Sequence, residues 1–260
     1  MAVLFERRGQ VGWITLNRPE QRNAVNAEMR DELIRILTEA RLDFDLRALV
    51  LTGAGKGFCT GADLSGPRRE GPSGPGVTRE VMKSSSQRLI RALWELEKPV
   101  IAAVNGVAAG LGAHLAFASD LVIASSEAKF IEIFVRRGIA VDAGGAFLLP
   151  RLIGLQKAKQ LVFFGDDLPA EEAERIGLVT KVVAPEQLET AAMEWAQRLA
   201  EGPTFAIGIS KRLLNRSLES DLDTALEEEA TAQALVTQSE DTREGMKAFL
   251  ERRPPNFRGL

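Results

Sequence analysis

The chain has 260 residues, 45% of them hydrophobic and 27% charged, with a formal net charge of -3. That is enough to bury the core of one large globular domain, and too little positive charge to draw the protein to nucleic acid or an anionic membrane. One cysteine (Cys59), one histidine (His114) and no tyrosine exclude an intramolecular disulfide, a cysteine zinc site and a histidine-rich metal centre. A lone cysteine fits a reducing compartment. Met1–Arg8 lacks the apolar core of a signal peptide, and no run reaches the roughly 18 apolar residues of a membrane span. The expectation is a cytoplasmic protein without membrane attachment.

Residues 2–8 and 11–17 read as two strands joined near Gly9 and Gln10, a hairpin that opens a sheet. Asn26 then caps a helix whose apolar positions Met29, Leu33, Leu37 and Ala40 keep helical spacing. The β-branched run 48–52 predicts a buried strand. From Gly53 to Gly76 the chain is rich in glycine, proline, serine and charge, which predicts a long mobile loop of the kind that binds ligands. A helix near 79–97 (Val81, Leu89, Leu93, Leu96) stops at Lys98-Pro99, ahead of a strand over 100–104. Residues 115–118 predict a short buried helix and 120–124 another strand. After Leu155 only 178–183 resembles a strand, while 186–201, 204–217, 221–238 and 241–251 are helical in pattern. Alternating strands and helices predict an α/β fold with a largely parallel core. Its helical tail packs on the body or on a neighbouring subunit.

Two glycine-punctuated segments frame the middle of the chain: Gly57-Phe58-Cys59-Thr60-Gly61-Ala62-Asp63-Leu64 and Asn105-Gly106-Val107-Ala108-Ala109-Gly110-Leu111-Gly112-Ala113-His114. Each follows a buried strand. Two such turns can aim free backbone N–H groups into one cavity, where they hold an oxyanion. A third segment, 137–145, offers the Asp142 carboxylate between apolar neighbours. Together they point to an enzyme that stabilises an enolate and moves a proton.

Five fragments occur in order: Leu16-Asn17-Arg18-Pro19, Gly61-Ala62-Asp63-Leu64, the run 98–106, Ala143-Gly144-Gly145, and the C-terminal run 243–253. Their spacing resembles the enoyl-CoA hydratase/isomerase (crotonase) superfamily, over essentially the whole chain. The resemblance implies a crotonase-like (ClpP/crotonase) spiral ββα core over residues 1–200 and a C-terminal helical trimerisation region over 201–260. It also implies a homo-trimer or hexamer and an acyl-CoA thioester substrate. Coenzyme A is then part of the substrate, with no metal or redox cofactor. By the same resemblance the amides of Ala62 and Leu111 hold the thioester oxygen, and Gly61 and Gly110 let the backbone approach the ligand. Arg22 and Ala24, with Arg18, flank the nucleotide end; Asp63 and Leu64 continue the binding loop. Phe249 and Arg252 reach the CoA of an adjacent subunit. Leu111 stands where the family often has glycine, which leaves its amide intact but narrows the acyl pocket. Phe134 and the loop 65–80 line that pocket.

The acid–base positions depart from the family's pattern. Its hydratases use two glutamates; the first aligns with His114 and the second with Phe134, with Glu132 two residues away. On a strand Glu132 would face the same side as that position; on a turn it could point elsewhere. Asp142, just before the paired glycines, resembles the catalytic carboxylate of isomerases that act on ring-opened or epoxidised phenylacetyl-CoA and on unsaturated acyl-CoAs. A single carboxylate suits a 1,3-proton shift, and apolar neighbours would raise its pKa. The bland alternative is that Asp142 caps a helix beginning near Ala143. His114 either assists the site or is a packed core residue. A Cys59–His114 nucleophilic dyad is formally open, but a small buried cysteine is the simpler reading. The resulting expectation is an enoyl-CoA isomerase. The alternatives are a hydratase acting on 2-enoyl-CoA, and a non-catalytic acyl-CoA- or RNA-binding protein of the same fold.

Overall fold

The computed structural model describes residues 1–65 and 71–260, and its framework follows from where the apolar runs alternate. Strands β1 (Val3–Arg8) and β2 (Val11–Leu16) form an antiparallel hairpin with Val3 opposite Leu16. Helix α1 (Ala27–Leu42) starts at Asn26, whose side-chain oxygen accepts the Met29 N–H at 2.9 Å, and it buries the expected stripe Met29, Leu33, Leu37 and Ala40. Then follow β3 (Ala48–Gly53), β4 (Gly57–Cys59), α2 (Pro75–Ser84), α3 (Ser86–Trp94), β5 (Val100–Val104), β6 (Val107–Ala109), α4 (Leu111–Phe117), β7 (Leu121–Ser125) and β8 (Lys129–Ile131). The chain continues through α5 (Gly145–Ile153), α6 (Leu155–Phe164), β9 (Asp167–Pro169), α7 (Ala170–Arg175), β10 (Lys181–Val183) and α8 (Leu188–Ala200). It ends in α9 (Thr204–Ser217), α10 (Leu222–Val236) and α11 (Glu240–Glu251).

The strands sort into two sheets by turns. The first has the order β1-β2-β3-β5-β7-β10, parallel from β2 onward; the second has the order β4-β6-β8-β9. The pairs β3–β4, β5–β6 and β7–β8 each give one strand to each sheet before the chain turns into helix. This repetition is the ββα spiral. The first sheet is covered on both faces, which explains its near-continuous apolar strands. Leu49, Leu51, Ala102 and Val104 face the core under α1, α3 and α4, while Ala48, Val50, Ile101 and Ala103 face the alanine side of α8, Ala192 and Ala196 among it.

Three expectations need correction. The stretch 53–76 is not one loop: it contains β4, and α2 starts at Pro75; residues 66–70 of that loop lie outside the described residues. The helix expected over 79–97 is two helices that break at Ser85, where φ is -114° and ψ -102°. The Ser84 and Ser85 hydroxyls donate back to carbonyls of Glu80 and Val81, the local competition that lets serine interrupt a helix. A second strand follows Leu155: β9 pairs antiparallel with β8, but its three residues are too short to show alternation. Beyond α8, the buried Arg47 donates to the Thr204 hydroxyl and to the carbonyls of Gly202 and Phe257, tying the C-terminal helices to β3. Among the described residues no helix is long and apolar enough to cross a membrane.

Candidate active site

The spiral sets the two glycine segments side by side. Gly57 pairs with Val107 and Cys59 with Ala108, so the chain leaves β4 and β6 at the same end of the second sheet. Gly61 and Gly110 both have positive φ, 97° and 51°. A Cβ on Gly61 would stand 2.9 Å from the Ala109 carbonyl oxygen and 3.6 Å from the Leu111 nitrogen. The first loop therefore touches the second through a position only glycine fills without strain. A parallel bridge between Val25 and Ala62, with the Val25 N–H on the Gly61 carbonyl, anchors the loop from its other side. Among the described residues neither the Ala62 nor the Leu111 amide donates to a protein acceptor. Leu111 opens α4, so its N–H belongs to the electropositive end of a helix.

The ionisable groups gather one turn further on. His114 is fully buried on α4, and its Nε2 lies 3.1 and 3.2 Å from the two carboxylate oxygens of Glu132, itself buried just past β8. The Phe134 ring stacks on the imidazole, centroids 5.5 Å apart and planes 17° from parallel. Gly145 lets α5 press against the other part of the ring: a Cβ there would lie 2.6 Å from Val141 Cγ2 and closer still to His114 Cε1 and Nε2. Asp142 stands between Val141 and this glycine. Its carboxylate makes no side-chain hydrogen bond among the described residues, and burial pushes its pKa up; His114 opposes the shift and Glu132 adds to it. The helix-cap alternative fails. Only the Asp142 backbone carbonyl accepts the Gly145 N–H, and α5 is preceded by Gly144 without a side-chain cap. Ala143, held at φ 45°, and Gly144, at 84°, make the sharp turn between carboxylate and helix. Cys59 is buried, and desolvation pushes its thiol up to about 12. At neutral pH it is a packed thiol, not a nucleophile.

A family model described as enoyl-CoA hydratase/isomerase matches residues 6–259. The chain belongs to that family. It is 44% identical over 247 residues to the 1,2-epoxyphenylacetyl-CoA isomerase of Escherichia coli, covering 95% of this chain and 94% of the relative. It is 40% identical over 252 residues to the short-chain-enoyl-CoA hydratase of Clostridium acetobutylicum, covering 96% and 95%. The crystal structure of an enoyl-CoA hydratase/isomerase from Cupriavidus metallidurans superposes with a TM-score of 0.93 at 40% identity, over 100% of this chain and 97% of that one. The crotonase fold and membership of an enzyme family acting on CoA thioesters are thus established, while relatives carry both isomerase and hydratase names.

Within this crotonase fold the expected residues divide into those that meet and those that do not. Arg18 binds Asp63 at 2.7 Å and donates to the Ala24 carbonyl, so the loop over 18–24 and the loop after Ala62 form one rim. Ser65 first, then Arg18, holds the Asp63 carboxyl at about 2. Arg22 is exposed in a left-handed turn, and its carbonyl accepts the Thr60 N–H. Leu64 is exposed; Leu111 and Phe134 are buried. Phe249 and Arg252 stand exposed on and just after α11, with no side-chain hydrogen bond to this rim among the described residues. Sequence reasoning missed Asn23, a buried hub that accepts the Arg18 N–H and donates to the carbonyls of Ala54 and Gly57. An asparagine two residues before the hydrophobic Val25 in a proline-bounded turn was the available signal. A cavity of about 640 Å³ lies between α3, α5 and α9, bounded by Ile90, Trp94, Phe147 and Lys211. It touches the site only at Gly144, and none of Ala62, Leu111, His114 and Asp142 lines it.

Proposed function

We propose that the protein is an enoyl-CoA isomerase that moves a double bond by proton transfer through Asp142. The observation that carries this reading is the state of the three ionisable groups. Glu132 and His114 are engaged with each other, Phe134 fills the position of a second hydratase glutamate, and among the described residues the Asp142 carboxylate alone of the three is unpartnered and raised in pKa. The thioester oxygen accepts from the Ala62 and Leu111 N–H groups. Asp142 takes a proton from the carbon on one side of the double bond, leaving an enolate whose charge rests on that oxygen. The same proton returns two carbons away, so the reaction is redox-neutral and consumes no water. Losing either amide donor costs about 3 kcal/mol of transition-state stabilisation. His114 shapes the wall beside the carboxylate, and Leu111 and Phe134 bound the acyl group. Coenzyme A enters as part of the substrate along the rim of Arg22, Ala24, Gly61, Asp63 and Leu64. Residues 201–260 serve trimerisation, and Phe249 and Arg252 complete a neighbour's CoA site in a trimer or hexamer.

A hydratase reading draws on one observation, the buried carboxylate of Glu132 within the same cluster. The two are separated by incubating the protein with 3-enoyl-CoA and 2-enoyl-CoA in H₂¹⁸O and weighing the products. Mass-neutral conversion of the 3-enoyl ester supports the isomerase; a labelled 3-hydroxyacyl product supports hydration. Asp142→Asn is expected to retain CoA-ester binding and lose most turnover, roughly 10²-fold or more. Near-full activity in that variant sinks the assignment of the base.

A further inference from the structure

On the reading of Asp142 as the proton carrier, the groups packed beside it decide how firmly it holds that proton. His114 Nε2 faces both oxygens of Glu132, and His114 is the only hydrogen-bond partner of that carboxylate among the described residues. The other ring nitrogen, Nδ1, is buried with no partner among the described residues. A protonated imidazole would strand an N–H at Nδ1, whereas a neutral ring with its hydrogen on Nε2 leaves only a lone pair there, the cheaper of the two. The neutral ring therefore donates to an ionised Glu132, and the pair carries one net negative charge. Burial is the first cause that raises the Asp142 carboxyl and the Glu132 charge adds to it; with the ring neutral, His114 does not offset that push. Phe134 stacked on one side and the bare Gly145 on the other hold the imidazole in this orientation.

Among the described residues no other charge bears on Asp142. Arg136 is spent on Asp167 at 2.8 Å and Arg137 is exposed. Cys59, packed beneath α4 at Gly112, keeps its proton. The neighbours of Gly144 on α3 and α5 are Ile90 and Leu148. We propose that His114 and Glu132 are one positioning unit, a buried hydrogen-bonded pair beside Asp142 in which the imidazole keeps Glu132 ionised and the glutamate charge strengthens Asp142 as a base. During turnover the proton passes from the substrate carbon to Asp142 and back. None leaves the pair.

The test is the pH profile of kcat/KM on 3-enoyl-CoA. Replacing Glu132 by Gln removes the charge, so the acid limb moves down by about one pH unit. His114→Leu strips Glu132 of its only donor among the described residues; burial then disfavours the charge, and the limb moves down in the same way. His114→Gln restores an amide donor and returns the limb toward its wild-type position. A packing role predicts lower kcat with an unmoved limb in all three, and that result overturns the proposal, as does a limb in His114→Gln displaced as far as in His114→Leu. A titration without substrate supplies a second check. In ¹³C-carboxyl titrations the Asp142 signal, assigned through Asp142→Asn, is expected to move its midpoint to lower pH in Glu132→Gln. An unmoved midpoint refutes the coupling. Because that titration involves no turnover, it separates failure of this proposal from failure of the isomerase reading, which the activity of Asp142→Asn decides.

Discussion

Replacing Gly145 by alanine places one methyl group where the site has no room, and the outcome can be worked from the contacts. Gly145 opens α5 without positive φ, so its backbone accepts a side chain, and helix propensity alone favours alanine by up to about 1 kcal/mol. Against this, the new Cβ stands 2.6 Å from Val141 Cγ2 and nearer to the imidazole edge. Overpacking of this kind costs about 1–3 kcal/mol. The movement that relieves it swings His114 away from Glu132, leaving that buried carboxylate without its donor at a further cost of about 1–3 kcal/mol. The net loss is about 3 kcal/mol, which for a chain of this size lowers the melting temperature by roughly 6–12 °C. Thermal melts followed by circular dichroism at one fixed protein concentration measure it, since association would add a concentration dependence. Gly76→Ala is the control: it lies in α2 with nothing within 4 Å of a new Cβ, and it should be neutral or slightly stabilising. A Gly145→Ala protein that melts with the wild type would show that the imidazole is not pinned between α5 and Glu132.

Two further outcomes follow from groups away from the proton chemistry. Asn26→Ala removes the cap of α1 and should cost about 1 kcal/mol, a fall of roughly 2–4 °C in melting temperature, with kinetics on the CoA ester unchanged. Asp63 is held at about 2, below its usual 3.8, chiefly by Ser65 and then by Arg18. A depressed carboxyl stabilises the fold above its unfolded value and loses that contribution as pH falls toward the folded one. Asp63→Asn should therefore be less stable than wild type by on the order of 1 kcal/mol at pH 7, with the gap narrowing by pH 3 in paired melts. A gap that stays constant with pH would assign the loss to packing of the loop and not to its charge.

The long apolar runs were legible because their physics is local. The strands over 48–53, 100–104 and 121–125 are buried on both faces, and the Asn26 cap with its stripe is written in consecutive residues. The three-residue strands β4, β6, β8 and β9 were not, because alternation needs more positions than they have. The break at Ser85 was hidden by good helical periodicity on either side. At the site, both glycine turns could be read from sequence, since the positive φ that Gly61 and Gly110 adopt leaves a glycine signature. The union of His114 with Glu132 could not. It joins the middle of α4 to the residue after β8, 18 positions apart, and no periodicity reports a contact between two turns of the spiral. The Arg18–Asp63 bond, closing a loop across 45 residues (63 less 18), is invisible for the same reason.

The division of labour along the spiral explains why the family is plain while relatives divide between isomerase and hydratase names. The first ββα turn ends in the Ala62 amide and the second in the Leu111 amide. On the proposed reading these two donors grip the thioester oxygen, and a backbone N–H does this whatever side chain it carries. Leucine at 111 costs the grip nothing. What happens to the enolate is left to side chains at 114, 132, 134 and 142, where one residue can change without moving the frame. On the same reading Phe134 takes the place of a carboxyl in that wall, His114 engages another, and Asp142 is left as the carboxylate free to exchange a proton. With the amides fixed by the fold, the proposed chemistry is set by which carboxylates are tied up and which one is not.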